Sequence, residues 1–155
     1  METSIVCGVD GSDESAAALA VAAGIAGRLR ARLVLAHVTE PALVPSVRAA
    51  PFRGMSMPGP LAAQEEALAH EKAGTPLLEE AAAAAGVADT VTRLVIGVPA
   101  ERLAEIADDE RAEMIVVGSR GRGAFKAAFL GSVSTSLVGI ARCPVLVVPP
   151  GATAP

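Results

Sequence analysis

The sequence predicts an α/β fold in which a parallel sheet is covered by helices on both faces. Segments typical of strands and of helices alternate along the chain. The strand segments are continuously apolar, which is typical of parallel strands buried on both sides. The length of 155 residues suits one domain. We expect that domain to span residues 1–150, with a flexible tail at residues 151–155.

The first strand is predicted over residues 4–10, "SIVCGVD", a short apolar run that ends in Asp-Gly. The Ala-rich segment after it predicts a helix. Ser12 is a suitable N-cap for that helix, and Asp13 and Glu14 suit its first turn. Residues 31–38, "ARLVLAHV", predict the second strand.

Residues 41–60 contain five prolines and no clear period, so an irregular connection is expected there. Whether this connection covers a site or binds a partner is left open. A helix is predicted over residues 61–73 and again over 76–85, ending at Gly86. We expect an interruption at Thr75-Pro76, because proline disfavours helical geometry at the preceding residue.

The last part of the chain predicts three more strands and two helices. Pro99 suits the first position of a helix, because its missing N–H is not needed there. The predicted strands span residues 90–97, 113–118 and 144–149, and the predicted helices span residues 99–109 and 132–142.

Composition argues against several classes of protein. The net charge of −4 disfavours an extended surface for nucleic acid or an acidic membrane. Trp and Tyr are absent and Phe is rare, so a stacking platform for single strands is not expected. No run approaches the ~18 apolar residues of a membrane span. The N-terminus does not resemble a signal peptide, and a cytoplasmic protein is expected.

The cysteines and histidines do not predict a reactive or metal centre. Cys7 and Cys143 have neither a disulfide nor a metal spacing, and we expect buried, inert thiols. His37 lies in an apolar strand, where a structural role is favoured over a catalytic one. His70 lies in a polar helical segment, where we expect a solvated face without a function.

The most informative segment is residues 118–134, "GSRGRGAFKAAFLGSVS". It is not a P-loop: Gly118 and Gly123 have the outer spacing, but Ala124 and Phe125 stand where Lys and Ser or Thr are required. No G-x-G-x-x-G fingerprint follows the first strand either. These two phosphate-binding motifs are therefore absent.

Several features of this segment nevertheless favour phosphate binding. Gly118 ends a strand, and Gly121 allows the backbone to turn close to a ligand. A helix that starts at Gly131-Ser132 would offer free N–H groups to an anion. Hydroxyl groups and positive charge come from Ser132, Ser134, Arg120, Arg122 and Lys126. The alternative is a surface loop whose glycines form tight turns and whose cations face solvent.

A comparison of two predicted helix N-termini separates their roles. The one at Ser12 lies beside acidic residues that would repel phosphate, whereas the loop before Ser132 contains only cations. Charge therefore selects the second for phosphate. Asp10, at the end of the first strand, is a candidate acceptor for ribose hydroxyls or a base amino group. The alternative role for Asp10 is to cap a turn.

The spacing of Gly118, Gly121, Gly131 and Ser132 resembles the nucleotide-binding signature G-x2-G-x9-G-(S/T) of the universal stress protein family. The likeness covers nearly the whole chain and includes "IVCGVDGSDES", "LVLAHV" and "CPVLVVP". It implies a Rossmann-like three-layer sandwich whose five-stranded parallel sheet has the order 3-2-1-4-5, with helices on both faces. Strands 1 and 4 then meet where the winding reverses, which is where such sheets bind ligands.

The resemblance also implies an ATP site and the residues around it. Val9 and Asp10 would lie at the adenosine, Val38 would meet the base through its backbone, Val117 and Gly118 would flank the ribose and first phosphate, and the phosphates would be surrounded by Arg120, Gly121, Gly131, Ser132, Val133 and Ser134. A Mg²⁺ ion bridging the phosphates is compatible with this site. No cluster in the sequence demands a metal by itself. Whether ATP, AMP or a cyclic nucleotide is the physiological ligand is left open.

No residue near the phosphate loop is an obvious general base, so a regulatory binding module is favoured over an enzyme. Slow ATP hydrolysis or autophosphorylation has been associated with some family members. It stays an alternative here, with Ser132, Ser134 and Thr135 as candidate acceptors. A nucleotide-free interaction module is a second alternative, against which the intact motif stands.

The last strand predicts a partner. Residues 144–148 would form an apolar outer strand with one open edge, and open edges invite pairing. The resemblance implies a homodimer through this strand, with Pro149 and Pro150 ending the paired region. The alternative is a monomer whose tail covers the edge. A protein partner in a stress response would be a further consequence of the resemblance.

Overall fold

A computed structural model describes residues 3–40, 60–121 and 130–153. Strands and helices alternate strictly through these ranges. The elements are β1 Ser4–Gly8, α1 Asp13–Leu29, β2 Arg32–Thr39, α2 Pro60–Ala85, β3 Thr90–Ile96, α3 Pro99–Asp109, β4 Met114–Gly118, α4 Ser132–Ile140 and β5 Val145–Val148. Of the predicted connection at 41–60, residues 41–59 lie outside the described residues, and Pro60 already belongs to α2. The cations Arg122 and Lys126 also lie outside the described residues.

The five strands form one parallel sheet in the order β3-β2-β1-β4-β5. Successive strand side chains point to opposite faces of this sheet. Ile5 and Cys7 belong to one buried cluster, together with residues of α1 and α2. Val6 belongs to a second cluster, together with residues of α3 and α4. The predicted three-layer fold, its strand order and its two helical layers are confirmed.

Local signals place most element boundaries within two residues of their predicted positions. Ser12 is the N-cap of α1, and its hydroxyl oxygen accepts from the N–H of Ser15 at 3.2 Å. Pro99 opens α3. Gly86 follows α2 with a φ of +63°, a conformation that favours glycine. The first strand is shorter than predicted, because it ends at Gly8 and leaves Val9 and Asp10 beyond the ladder.

The predicted interruption at Thr75-Pro76 is wrong, because α2 runs through Pro76 without a break. Packing against the sheet on both sides of the proline accounts for this. On one side, a Cβ at Gly74 would come 2.3 Å from Cδ1 of Leu94, so the helix lies very close to β3. On the other side, Leu78 is buried in the core. These contacts offset the ~3 kcal/mol that an internal proline costs an isolated helix.

The two free cysteines differ in burial. Cys7 is fully buried, and this burial raises the pKa of its thiol to about 12. Cys143 is only half-buried, so the expectation that both are buried is wrong for this residue. Partial burial and then the negative charge of Asp108 raise the pKa of the Cys143 thiol. Both environments therefore disfavour the thiolate.

His70 is not on a solvated face, contrary to the expectation from its polar neighbours. Its side chain is 17% exposed, and its Nε2 atom lies 3.6 Å from a carboxylate oxygen of Glu66. Among the described residues, no group forms a hydrogen bond with this buried nitrogen. His70 precedes Gly74 by one helical turn, so it shares the face of α2 that packs on the sheet.

The start of the C-terminal tail contacts the domain. Ala152 packs against the buried cluster that contains Cys7. Its N–H donates to the carbonyl of Pro149 at 3.3 Å. This part of the predicted tail therefore lies on the fold. None of the helices in the described part of the chain has the length and apolar character needed to cross a bilayer.

Arg30 ends α1 in a left-handed conformation, with φ 52° and ψ 41°. Arg30→Gly should raise the free energy of unfolding by about 1 kcal/mol, because glycine adopts this conformation without the Cβ clash. Arg28→Gly is the matched control. It lies inside the last turn of the same helix and should lower stability by about 1 kcal/mol. Urea unfolding measures both, and a loss of stability in Arg30→Gly would contradict the strain.

Candidate functional site

A cavity of about 590 Å³ opens at the carboxyl ends of β1, β2 and β4. It lies where the chain leaves β1 and β4 toward opposite faces of the sheet. The helix after β1, α1, packs beside α2 in one layer, and the helix after β4, α4, packs beside α3 in the other. The residues lining it are Gly8, Val9, Asp10, Ser15, Ala36, Val38, Glu40, Pro99, Leu103, Val117, Gly118, Arg120, Gly121, Leu130, Gly131, Ser132, Val133 and Ser134. This is the position where doubly wound sheets bind ligands.

All residues that the family resemblance assigned to the ATP site lie in this lining. They are Val9, Asp10, Val38, Val117, Gly118, Arg120, Gly121, Gly131, Ser132, Val133 and Ser134. The structure therefore brings together residues from three strand ends and one helix. Sequence reasoning missed Glu40 and Leu103, among others. A usable signal for Glu40 was its place directly after β2, whereas Leu103 lies within α3 and has no such signal.

The N-terminus of α4 offers hydrogen-bond donors to the cavity. Gly131 is its N-cap and has no side chain with which to cap the helix. The first intrahelical bond runs from the N–H of Thr135 to the carbonyl of Gly131 at 3.1 Å. The N–H groups of Ser132, Val133 and Ser134 therefore have no acceptor within the helix. Together with the positive end of the helix dipole, they form an arrangement suited to an anion.

The two serines of this turn have different roles. Ser134 is buried, and its hydroxyl lies 3.1 Å from the carbonyl oxygens of both Ser119 and Gly131. Its proton is thus used to hold the loop, and only its N–H remains for an anion. Ser132 is exposed on the cavity, and no described residue forms a hydrogen bond with its hydroxyl. Of these two hydroxyls, that of Ser132 is the one available to a ligand.

The glycines of the motif allow close backbone approaches. A Cβ at Gly118 would lie 2.8 Å from the carbonyl carbon of Glu14, in the first turn of α1. A Cβ at Gly121 would lie 2.5 Å from Oδ2 of Asp10, and one at Gly131 would lie 3.3 Å from Cα of Arg120. Packing alone therefore requires glycine at position 118, whether or not a ligand is bound. At these three positions of the lining, no side chain projects into the cavity.

Asp10 caps a turn, which is one of the two roles that the sequence predicted for it. Its Oδ1 atom accepts from the N–H of Ser12 at 2.9 Å and from the hydroxyl of Ser12 at 2.6 Å. Its own N–H donates to the hydroxyl of Ser15 at 3.1 Å. Its Oδ2 atom lies beside Gly121. The loop before α4 is therefore not remote from acidic groups, which corrects the charge comparison made on sequence alone.

Charged groups of both signs line the cavity. The carboxylates of Asp10 and Glu40 follow β1 and β2, whereas Arg120 and the free N-terminus of α4 lie on the β4 side. Val9, Val38 and Leu103 contribute aliphatic walls. The arrangement suits a ligand with an apolar ring, hydrogen-bond donors at one end and an anionic group at the other. No three metal-ligating side chains among the described residues are grouped closely enough to hold a metal ion.

His37 has a structural contact, as its place in an apolar strand predicted. Its Nδ1 atom lies 2.7 Å from the carbonyl oxygen of Val9, which lines the cavity.

Comparisons with known proteins agree with this geometry. The sequence model of the universal stress protein family matches residues 1–149. A universal stress protein of Thermus aquaticus is 38% identical over 148 residues, which cover 96% of this chain and 99% of the relative. Universal stress protein YxiE of Bacillus subtilis is 34% identical, with 96% and 99% covered. A universal stress protein of Mycobacterium tuberculosis is 33% identical, but the match covers only 44% of that longer protein.

Solved structures share the fold over nearly the whole chain. A universal stress protein in complex with cAMP is 30% identical, with a TM-score of 0.68, and the match covers 96% of this chain and 98% of that one. UspA of Lactobacillus plantarum is 24% identical with a TM-score of 0.70 and coverages of 94% and 97%. An Archaeoglobus fulgidus protein in complex with dAMP is 20% identical with a TM-score of 0.62, covering 96% and 98%. The last two support the fold alone.

Gly118→Ala should destabilise the protein by about 2 kcal/mol in the absence of any ligand, because the new methyl group meets the backbone of Glu14. Gly139→Ala is the control, since a Cβ there has no heavy atom within 4 Å, and it should stabilise α4 slightly. Thermal and urea unfolding measure both. Unchanged stability in Gly118→Ala would contradict a packing role for this glycine.

Proposed function

Because the chain belongs to the universal stress protein family, we propose that it is a regulatory module that binds an adenine nucleotide, ATP, in the cavity at the ends of β1 and β4. The observation that carries this proposal is the uncapped N-terminus of α4, which faces the cavity beside Arg120. The relative in complex with cAMP supports an adenine ligand, since it matches nearly the whole chain at 30% identity.

The phosphates would lie at the start of α4. Backbone N–H groups of Ser132, Val133 and Ser134 would donate to phosphate oxygens, and the hydroxyl of Ser132 would add a further bond. Arg120 would neutralise part of the phosphate charge. Gly121 and Gly131 would let the backbone approach the phosphates, and Val117 and Gly118 would flank the ribose and first phosphate.

The adenosine would lie toward β1 and β2. Val9 and Val38 would contact the base, with Val38 using its backbone and the aliphatic wall replacing aromatic stacking. Asp10 would accept a hydrogen bond from the ribose while Oδ1 continues to cap the turn at Ser12. This places the ribose donors beside Asp10, and the anionic group beside Arg120 and the N-terminus of α4.

A Mg²⁺ ion would be held mainly by the phosphates. Asp10 lies beside Gly121, so a triphosphate there would carry negative charge close to a carboxylate. A divalent cation bridging the phosphates reduces that repulsion. Mg²⁺ commonly keeps several waters and needs few protein ligands. Because the described residues contain no group of three metal-ligating side chains, the phosphates and waters would supply most of the ligands.

We favour binding over catalysis, and we propose a cytoplasmic protein whose nucleotide state regulates a partner in stress. One side chain favours a competing role: the hydroxyl of Ser132 is exposed on the cavity and lacks a described hydrogen-bond partner. It would be the acceptor if the protein hydrolysed ATP slowly by way of autophosphorylation. Ser134 is a poorer acceptor because its hydroxyl is buried and held by carbonyls.

Calorimetric titration with ATP and Mg²⁺ tests the site. The wild type should bind, and Ser132→Ala and Arg120→Gln should each weaken binding by about 10- to 100-fold, as expected for one lost bond to a charged group. The controls are Ser136→Ala, on the same helix but outside the cavity, and Arg142→Gln, whose side chain is 84% exposed. They should match the wild type. No binding by the folded wild type would contradict the proposal.

A second assay follows the release of phosphate from ATP. Release above that of a protein-free blank, lost in Ser132→Ala, would favour the alternative that the protein is an enzyme.

A homodimer through β5 completes the proposal. Within the described residues, β5 pairs with β4 on one side only. Leu146 on this strand and Val138 and Ile140 on α4 are exposed apolar side chains. An open apolar edge of this kind favours pairing with a second copy.

Leu146→Lys should therefore convert a dimer into a monomer, because a charge at the edge opposes pairing. Leu29→Lys is the matched control: it changes an exposed leucine of α1 in the same way and should leave the dimer intact. Sedimentation velocity measures both. A monomeric wild type, or a dimer that survives Leu146→Lys, would exclude this interface.

A further inference from the structure

The ladder between β1 and β2 ends in an unusual way at the cavity. The last paired residues are Gly8 and Ala36, and the N–H of Val9 still donates to the carbonyl of Ala36 at 2.9 Å. In a continued parallel ladder, the carbonyl of Val9 would accept from the N–H of Val38. Among the described residues that bond is absent, and the Val9 carbonyl is instead 2.7 Å from Nδ1 of His37.

The alternation of β2 shows where the N–H of Val38 points. The carbonyl of Ala36 faces β1, because it accepts from Val9. The carbonyl of Thr39 faces the opposite strand, because it accepts from the N–H of Gly97 after β3 at 3.0 Å. Backbone groups alternate along a strand, so Val38 faces the side of β1. β1 has ended at that level, and Val38 lines the cavity there.

The ring of His37 is held in the position that makes this possible. A carbonyl oxygen can only accept, so the bond to Val9 requires the proton on Nδ1. The opposite side of the ring meets α2, where a Cβ at Gly74 would lie 3.1 Å from Cδ2 of His37. The ring is therefore confined between α2 and the end of β1.

We propose that His37 is a positioning residue for the base of the nucleotide. By donating from Nδ1, it satisfies the carbonyl of Val9 in place of Val38. The N–H of Val38 is thereby left facing the cavity, where it donates to a ring nitrogen of a purine. This inference rests on the proposed nucleotide site and adds to it a side chain that does not touch the ligand.

The tautomer of His37 is the first test. The chain has two histidines, so nitrogen-15 spectra of the wild type and of His70→Gln assign both rings. Under mildly alkaline conditions, where histidine is neutral, His37 should carry its proton on Nδ1. A proton on Nε2 would overturn the inference without any reference to nucleotide binding.

A matched pair of variants is the second test. His37→Asn places an amide N–H near the position of Nδ1, whereas His37→Gln places one near Nε2. The Asn variant should bind ATP with Mg²⁺ within about 3-fold of the wild type. The Gln variant should bind about 10-fold more weakly, as expected for one misplaced hydrogen bond. Thermal unfolding identifies a variant that fails to fold, in which case the tautomer decides.

The outcomes separate this inference from the proposed function. If the wild type binds ATP and the two variants bind equally, whether well or poorly, the position of the N–H is irrelevant and the inference fails alone. If the folded wild type does not bind ATP, the proposed function fails and the inference fails with it.

Discussion

Burial of both faces of one parallel sheet is the constraint on which the rest of this structure depends. Because successive strand side chains point to opposite faces, the chain must supply a helical layer for each. After β1 it passes to one layer through α1, and after β4 it passes to the other through α4. Neighbouring strands whose connections leave in opposite directions cannot close the space above them. The cavity is a consequence of how the core is covered.

Close backbone packing gives this cavity its chemistry. Gly118 lets the first turn of α1 lie on the end of β4, and Gly131 places the start of α4 against the backbone of Arg120. The same packing directs a free helix N-terminus toward the opening between the strands. The packing of the fold and the proposed anion site therefore depend on the same glycines. An effect of a glycine substitution on binding cannot be interpreted without a measurement of folding, whereas Ser132 has no such dual role.

The end of β1 shows how a side chain replaces a ladder bond. The ladder stops at Gly8, yet the carbonyl of Val9 is satisfied by His37 and the carboxylate of Asp10 is engaged by Ser12. The strand thus ends without a buried carbonyl left unpaired, which would be costly. On the side of β2 that faces β1, the N–H of Val38 is then not bonded within the sheet and lies at the cavity.

The sequence by itself determined the features that depend on neighbouring residues. The apolar runs predict the strands, Ser12 and Pro99 predict helix starts, and the spacing from Gly118 to Ser132 predicts the site and the family. Tertiary structure decided whatever depends on residues distant in sequence. Pro76 stays helical because α2 packs on β2 and β3, and His70 is largely buried on that same face. The acid beside Gly121 is Asp10 in the loop after β1, more than a hundred residues away, so no pattern within the glycine segment reveals it. Local preferences are properties of short segments, but burial and charge at a site depend on which segments the fold brings together.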